Sequence, residues 1–144
     1  MMKNARKEPG MVKCLDLIKK SACEWVWITG GEPLIVDDIE GVCKTIRSYE
    51  KKIGLTTNGT VNNQRVPEFI DRLGVSIDGD KKYHDEYRQG SFDKAVSYLK
   101  SMVGRVETVL MFTLFPENEQ HVDYVKKLGM SLGVDNLQIE KGIA

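Results

Sequence analysis

Five short apolar runs punctuate the chain: Trp25–Thr29, Ile53–Thr57, Val75–Asp78, Val106–Phe112 and Asn136–Glu140. They read as nearly continuous apolar stretches, the mark of parallel strands covered on both faces. Their first residues lie between 22 and 31 positions apart, about the length of a parallel crossover with its helix. Helical spacing fills the gaps. Ile39, Val42, Cys43 and Ile46 recur at i, i+3, i+4 and i+7, with Asp37 as a candidate N-cap. Phe92, Ala95, Val96, Leu99 and Val103 do the same behind Ser91, with Gly104 as the stop. Val122, Val125 and Leu128 mark a helix after Pro116, and Val12, Leu15 and Ile18 mark one after Pro9. Pro67, Phe69, Ile70 and Leu73 suggest a short helix ending at Gly74. Room remains for a further helix between the third strand and Ser91. The alternation predicts an α/β fold over residues 1–144, a single domain with a mostly parallel sheet of about five strands and helices outside.

Composition narrows the partners. The chain has 144 residues, with 21 Lys plus Arg against 21 Asp plus Glu. A nucleic-acid-binding domain carries a basic excess, so DNA or RNA is not expected as the main partner. The 41% hydrophobic content excludes a disordered acidic or basic tail. No apolar run reaches the roughly 20 residues that cross a bilayer, so no membrane partner is expected. The opening MMKNARKEPG has no apolar stretch behind it, so no secretory signal is read and a cytoplasmic location is the expectation. The three cysteines, Cys14, Cys23 and Cys43, show no CxxC or Cys/His spacing. They predict neither a disulfide framework nor a metal site, and read as small buried hydrophobes on helices.

In parallel α/β folds ligands bind beyond the C-terminal ends of the strands, and here those ends are polar. The first strand runs into Thr29-Gly30-Gly31-Glu32-Pro33. Two glycines let a ligand approach the main chain, and Glu32 offers a carboxylate. The second strand ends in Thr56-Thr57-Asn58-Gly59, and the third in Ser76-Ile77-Asp78-Gly79, with Ser76 and Asp78 on one side. Each segment alone is an ordinary turn. Three together on adjacent strands predict an acidic, hydroxyl-rich pocket, suited to an amine or a ribose.

These segments carry a family resemblance. Thr29-Gly30-Gly31-Glu32-Pro33 resembles the GGEP motif of the radical S-adenosylmethionine (SAM) enzymes. Thr56-Thr57-Asn58-Gly59 resembles their TTNG segment. Val75-Ser76-Ile77-Asp78-Gly79, followed by His84-Asp85, Arg88 and Ser91-Phe92-Asp93-Lys94, is similar to the VSIDG…HD…R…SFDK stretch of one branch. That branch contains molybdenum cofactor synthesis protein A and the peptide- and sulfatase-maturing enzymes. The resemblance implies part of a (βα)6 barrel that uses SAM and a [4Fe–4S] cluster to make a 5'-deoxyadenosyl radical. It implies that Gly30, Gly31 and Glu32 hold the methionine amino group, with Pro33 beside them in the cofactor site, and that Ser76 and Asp78 meet the ribose. It implies that Asn58 neighbours the same pocket and that Leu110, Met111, Leu137 and Ile139 flank adenine. Arg88 matches a family position whose role stays open; by itself it reads as a solvated helix charge.

One part of the family pattern is missing. The CxxxCxxC motif that holds the cluster is not in this sequence, and the three cysteines present cannot stand in for it. The first strand here corresponds to the family's second. The expectation is therefore a truncated core domain, inactive by itself, with SAM binding weak or lost, no catalytic residue and no metal ligand. Two alternatives stay open. One is a cluster-free relative that binds SAM, a nucleoside or a protein. The other is one subunit of a split enzyme. An uncovered edge on the first strand also predicts a homodimer or a partner chain lying against it.

Overall fold

The computed structural model describes residues 5–143. Five parallel strands form one sheet in chain order: β1 Trp25–Ile28, β2 Lys52–Thr57, β3 Arg72–Ser76, β4 Glu107–Leu114 and β5 Asn136–Lys141. The helices are α1 Pro9–Lys20, α2 Ile39–Ser48, α3 Lys81–Tyr87, α4 Phe92–Met102 and α5 Val122–Leu132. Among the described residues β1 pairs with β2 alone, which makes it an edge strand. No described helix is long and apolar enough to cross a membrane.

Register divides every strand into two faces. Leu55 pairs with Leu73 and Leu73 with Thr108; Thr57 pairs with Val75, Val75 with Leu110 and Leu110 with Leu137. Leu55, Leu73, Val75, Ile77, Leu110 and Phe112 are buried, and α2, α4 and α5 cover that face. The opposite parity gives the rows Trp27–Gly54–Arg72–Glu107, Thr56–Gly74–Val109–Asn136 and Ser76–Met111–Gln138. Trp27 and Thr29 of the first strand's end line one cavity with Gln138 and Glu140 of the last. The sheet therefore curls, and this second face is the concave inside of a half-barrel.

Glycine shapes that inside. A Cβ on Gly54 would lie 2.0 Å from the Trp27 ring, and one on Gly74 would lie 2.3 Å from Met111 Sδ. Two bare positions in β2 and β3 thus let large side chains from β1 and β4 lie flat across them. Trp27 Nε1 donates to Thr56 Oγ1 at 2.7 Å, and Thr56 Oγ1 donates to Met111 Sδ at 3.3 Å. Below this layer Arg72 pairs with Glu107 at 3.0 Å and sits 4.7 Å from the centre of the Trp25 ring. The N-terminal end of the half-barrel is filled, and the C-terminal end stays open.

The third strand begins at Arg72 and ends at Ser76, not Val75–Asp78. A charged residue opens it because Arg72 faces Glu107 inside the curl, so no apolar run announces it. Asp78 lies in the turn beyond. The helix expected over 67–73 is a single 3-10 turn, Val66–Glu68. Phe69 and Ile70 are buried as a plug, and Asp71 takes the Ile53 N–H on its Oδ2 at 2.8 Å. Gly74 is no helix stop but the floor beneath Met111. The residue before α2 is Asp38, with φ 61, rather than Asp37. Of the cysteines, Cys43 is buried on α2, with its thiol pushed up to about 12 by burial, while Cys14 and Cys23 are exposed.

The packing over Gly54 yields a test. Gly54→Ala forces the Trp27 ring off its bed and breaks its bond to Thr56. Overpacking of this kind costs about 1–3 kcal/mol. Chemical denaturation should show that loss, together with a shifted tryptophan emission; an unchanged midpoint would mean that the ring does not lie where β2 is bare.

Candidate functional site

The open end of the half-barrel is built on a single carboxylate. Past β1 the chain turns at Gly30, with φ 88, and Gly31, with φ 54. Both lie in the left-handed region that L side chains rarely adopt, which requires glycine here. A Cβ at either would meet nothing within 4 Å, so the loop is open on its outer side. Glu32 follows and turns back over the sheet. Its Oε1 accepts from Thr57 Oγ1 at 2.6 Å and from the Leu34 N–H at 3.1 Å. Its Oε2 accepts from the Asn58 N–H at 2.8 Å. A carboxylate offers about four acceptor positions. Three are taken, and one on Oε2 is left. Glu32 is thus an immobilised anion joining the ends of β1 and β2.

The neighbours explain why these residue types are needed. Pro33 is buried and opens the 3-10 turn Pro33–Ile35, for which Glu32 is the N-cap. It supports the loop from below rather than facing the cavity. Thr57 is buried, and its hydroxyl also accepts the Gly59 N–H at 3.1 Å. Asn58 Oδ1 takes Thr60 N–H at 2.9 Å and Thr60 Oγ1 at 2.6 Å, which closes a tight side-chain turn.

Ser76 faces a different part of the same end. It lines the concave cavity, about 440 Å³, with Trp27, Thr29, Thr56, Met111 and Gln138. Asp78 does not join it there. Arg88 Nε donates to Asp78 Oδ2 in a very short contact, and the carboxylate is mostly buried. Asp78 lines a neighbouring cleft, about 330 Å³, with Tyr83, Tyr87 and Phe115. Arg88 is therefore no solvated helix charge; it is the counter-ion of the strand end. Asp85 sits on α3, where its Oδ1 takes the Phe92 N–H at 2.9 Å and caps α4.

Strand parity sorts the four apolar candidates. Met111 lies on the concave side, while Leu110 and Leu137 point to the helices and Ile139 pairs beside Phe112 on that same outer face. The positions that reach the cavity from the last strand are Gln138 and Glu140. Their signal was present in the sequence: Asn136, Gln138 and Glu140 alternate with Leu137 and Ile139. Among the described residues no three His, Cys, Asp or Glu side chains gather as a metal site.

Comparison with known proteins bears on the family and the fold. Residues 10–128 match the family model of the Radical SAM superfamily. The pre-heme d1 synthase of Dinoroseobacter shibae is 32% identical over 120 residues, spanning 78% of this chain and 30% of that protein. The cysteine-type anaerobic sulfatase-maturating enzyme of Clostridium novyi is 28% identical over 115 residues, 68% of this chain and 31% of that one. The chain thus spans about a third of the length of these relatives. The crystal structure of SuiB from Streptococcus suis superposes with a TM-score of 0.78 at 16% identity, covering 92% of this chain and 32% of that one. Its S-adenosylmethionine-bound structure superposes with a TM-score of 0.70 at 17% identity, covering 81% and 29%. At that identity the likeness concerns the fold.

The Glu32 junction can be tested without any ligand. Thr57→Val removes one donor from the carboxylate at nearly constant volume. A hydrogen bond to a charged group contributes about 1.5–3 kcal/mol. Unfolding at neutral pH should show a loss of that size, whereas the exposed Thr60→Val should show less.

Proposed function

The chain belongs to the radical SAM superfamily, and from that premise we propose that its open end is the adenosyl-binding half of a family core barrel. The observation that carries this reading is the state of Glu32. Three protein donors hold its carboxylate still, and one acceptor position remains beside a glycine loop with open space above it. An ammonium is the donor that suits that position, and the SAM methionine carries one. The residues present fit the nucleoside as well. Ser76 presents a hydroxyl to the cavity where a ribose sits in this reading, and Met111 and Trp27 offer apolar surface beneath it.

Bound SAM supplies this family with a sulfonium whose reductive cleavage gives a 5'-deoxyadenosyl radical. This chain's part is to bind and orient. Glu32 accepts from the amino group. Gly30 and Gly31 admit the methionine backbone without obstruction. The Trp27–Thr56–Met111 layer closes the barrel below and keeps water from the ligand's underside. The [4Fe–4S] cluster does not fit. Cys14 and Cys23 are exposed on and after α1, and Cys43 is buried on α2, away from the open end. We therefore read this chain, taken by itself, as unable to start the radical reaction. The SAM-bound SuiB structure supports adenosyl binding by this fold.

Titration calorimetry with S-adenosylhomocysteine checks the binding half. We expect a dissociation constant between tens of micromolar and millimolar, because the methionine carboxylate lacks its metal anchor. Glu32→Gln should weaken binding about tenfold or more, a loss of roughly 1.4 kcal/mol or above. Ser76→Leu, which fills the cavity and leaves Glu32 alone, should abolish it, and Asp16→Asn on α1 should change nothing. Equal affinity for wild type, Glu32→Gln and Ser76→Leu would refute the reading.

Anaerobic reconstitution with iron and sulfide checks the other half. The chain should bind well under one cluster per molecule, with no matching low-temperature paramagnetic signal. Stoichiometric iron with that signal would show a ligand set that the cysteine positions do not suggest.

A further inference from the structure

A buried imidazole that the adenosyl reading does not use fastens the turn after β3. His84, on α3, is wholly buried. The Asp78 backbone N–H donates to its Nδ1 at 3.2 Å. A nitrogen that accepts a hydrogen bond carries no proton, so the ring proton is on Nε2, which donates to Ser91 Oγ at 3.1 Å. Ser91 immediately precedes α4, yet its hydroxyl does not cap that helix. Asp85 performs the capping instead, which leaves the Ser91 hydroxyl for the imidazole. The His84 ring also meets the Phe92 ring edge-on, 5.7 Å between centroids. One side chain therefore joins the β3 end, α3 and the start of α4.

The same helix holds Asp78 a second time. Arg88, one turn beyond His84, donates its N–H to the His84 carbonyl at 2.8 Å and its Nε to the Asp78 carboxylate. His84 thus fixes the Asp78 main chain while Arg88 fixes its side chain.

The charges facing the imidazole are Lys81 and Asp85 from α3, Arg88 at its C-cap, and Asp78 from the strand end. At the start of α4 it meets the preceding Ser91 and then Phe92, both uncharged; Asp93 pairs with Lys81 at 2.8 Å. Burial first, and then Arg88, hold the His84 proton affinity below that of an ordinary imidazole. Protonation would also place a hydrogen on Nδ1 against the Asp78 N–H, donor facing donor.

We propose that His84 is a positioning residue whose neutral Nε2–H form holds the Asp78 main chain, so that Ser76, two residues earlier at the same strand end, keeps the geometry that receives the ligand's ribose, and whose protonation releases that strand end. The ribose part rests on the adenosyl reading; the clamp on Asp78 does not. The pH sign follows from the lowered affinity for protons in the folded chain. The unfolded imidazole titrates near pH 6.5. The clamp contributes fully above that value and is lost as pH falls through the lower value of the folded chain.

The test uses the whole chain with His84→Asn and His84→Phe. Asn keeps an acceptor near the Nδ1 position; Phe fills the volume and offers none. Asp78 amide exchange, corrected for intrinsic rate at neutral pH, should be about tenfold faster in His84→Phe and within about threefold of wild type in His84→Asn. Side-chain nitrogen NMR of the wild type should show Nδ1 bare and Nε2 protonated. S-adenosylhomocysteine should bind wild type more weakly as pH falls through the folded His84 titration, which lies below 6.5, and His84→Asn with little change over the same range. A proton on Nδ1, or unchanged Asp78 exchange in both variants, overturns the proposal. Should His84→Phe fail to fold, the wild-type nitrogen spectrum and the pH dependence of Asp78 exchange decide it. Failure of wild type to bind at any pH, with exchange behaving as expected, sinks the adenosyl reading and leaves the clamp standing.

Discussion

Everything at the open end depends on strand parity in a parallel sheet. Because side chains alternate with a period of two and the five strands run the same way, one parity class from every strand faces the helices and the other faces the curl. The helix-facing class is Leu55, Leu73, Val75, Leu110 and Phe112, all buried. The inward class is mixed, with Trp27, Thr56, Ser76, Met111 and Gln138. A slip of one residue in any strand would exchange the classes, burying polar groups beneath helices and turning leucines into the cavity. The packed convex face therefore specifies which residues can touch a ligand.

Two buttresses then hold the open end in shape before any ligand arrives. Glu32 ties the β1 loop to β2 through Thr57 and Asn58. His84 and Arg88 tie the turn after β3 to α3. Both use buried or half-buried polar groups with their partners supplied by the protein, which is how a polar network stays compatible with a core. Both also put backbone N–H groups under the control of side chains. Binding groups held in this way lose little freedom when a ligand arrives.

Family membership and geometry bear on different parts of the molecule. The family match covers residues 10–128, from α1 into α5. The parts of the pattern that the chain contains, the GGEP loop and the ends of β2 and β3, are the ones that surround an adenosylmethionine in the proposed reading. The CxxxCxxC motif is the part absent from the sequence, and among the described residues Cys14 and Cys23 are exposed while Cys43 is buried on α2. The chain spans about a third of the length of these relatives.

By itself the sequence determined the α/β class, the five strands, four of the five helices' apolar faces and the polar strand ends, because each depends on local periodicity or on turn chemistry. Gly30 and Gly31, with their positive φ, were legible for the same reason: a backbone angle is a local demand. The tertiary structure alone decided the rest. It started β3 at Arg72, a charged residue that is tolerated inside the curl because Glu107 and Trp25 are there to meet it. It made Gly54 and Gly74 beds for Trp27 and Met111, a requirement set by side chains from other strands. It separated Asp78 from the Ser76 cavity, because Arg88 approaches from the end of a helix ten residues further along. It also turned His84 from one letter of a motif into a three-way tie between elements. Such contacts join residues distant along the chain, and no spacing rule within a window of sequence encodes a partner that only folding brings near.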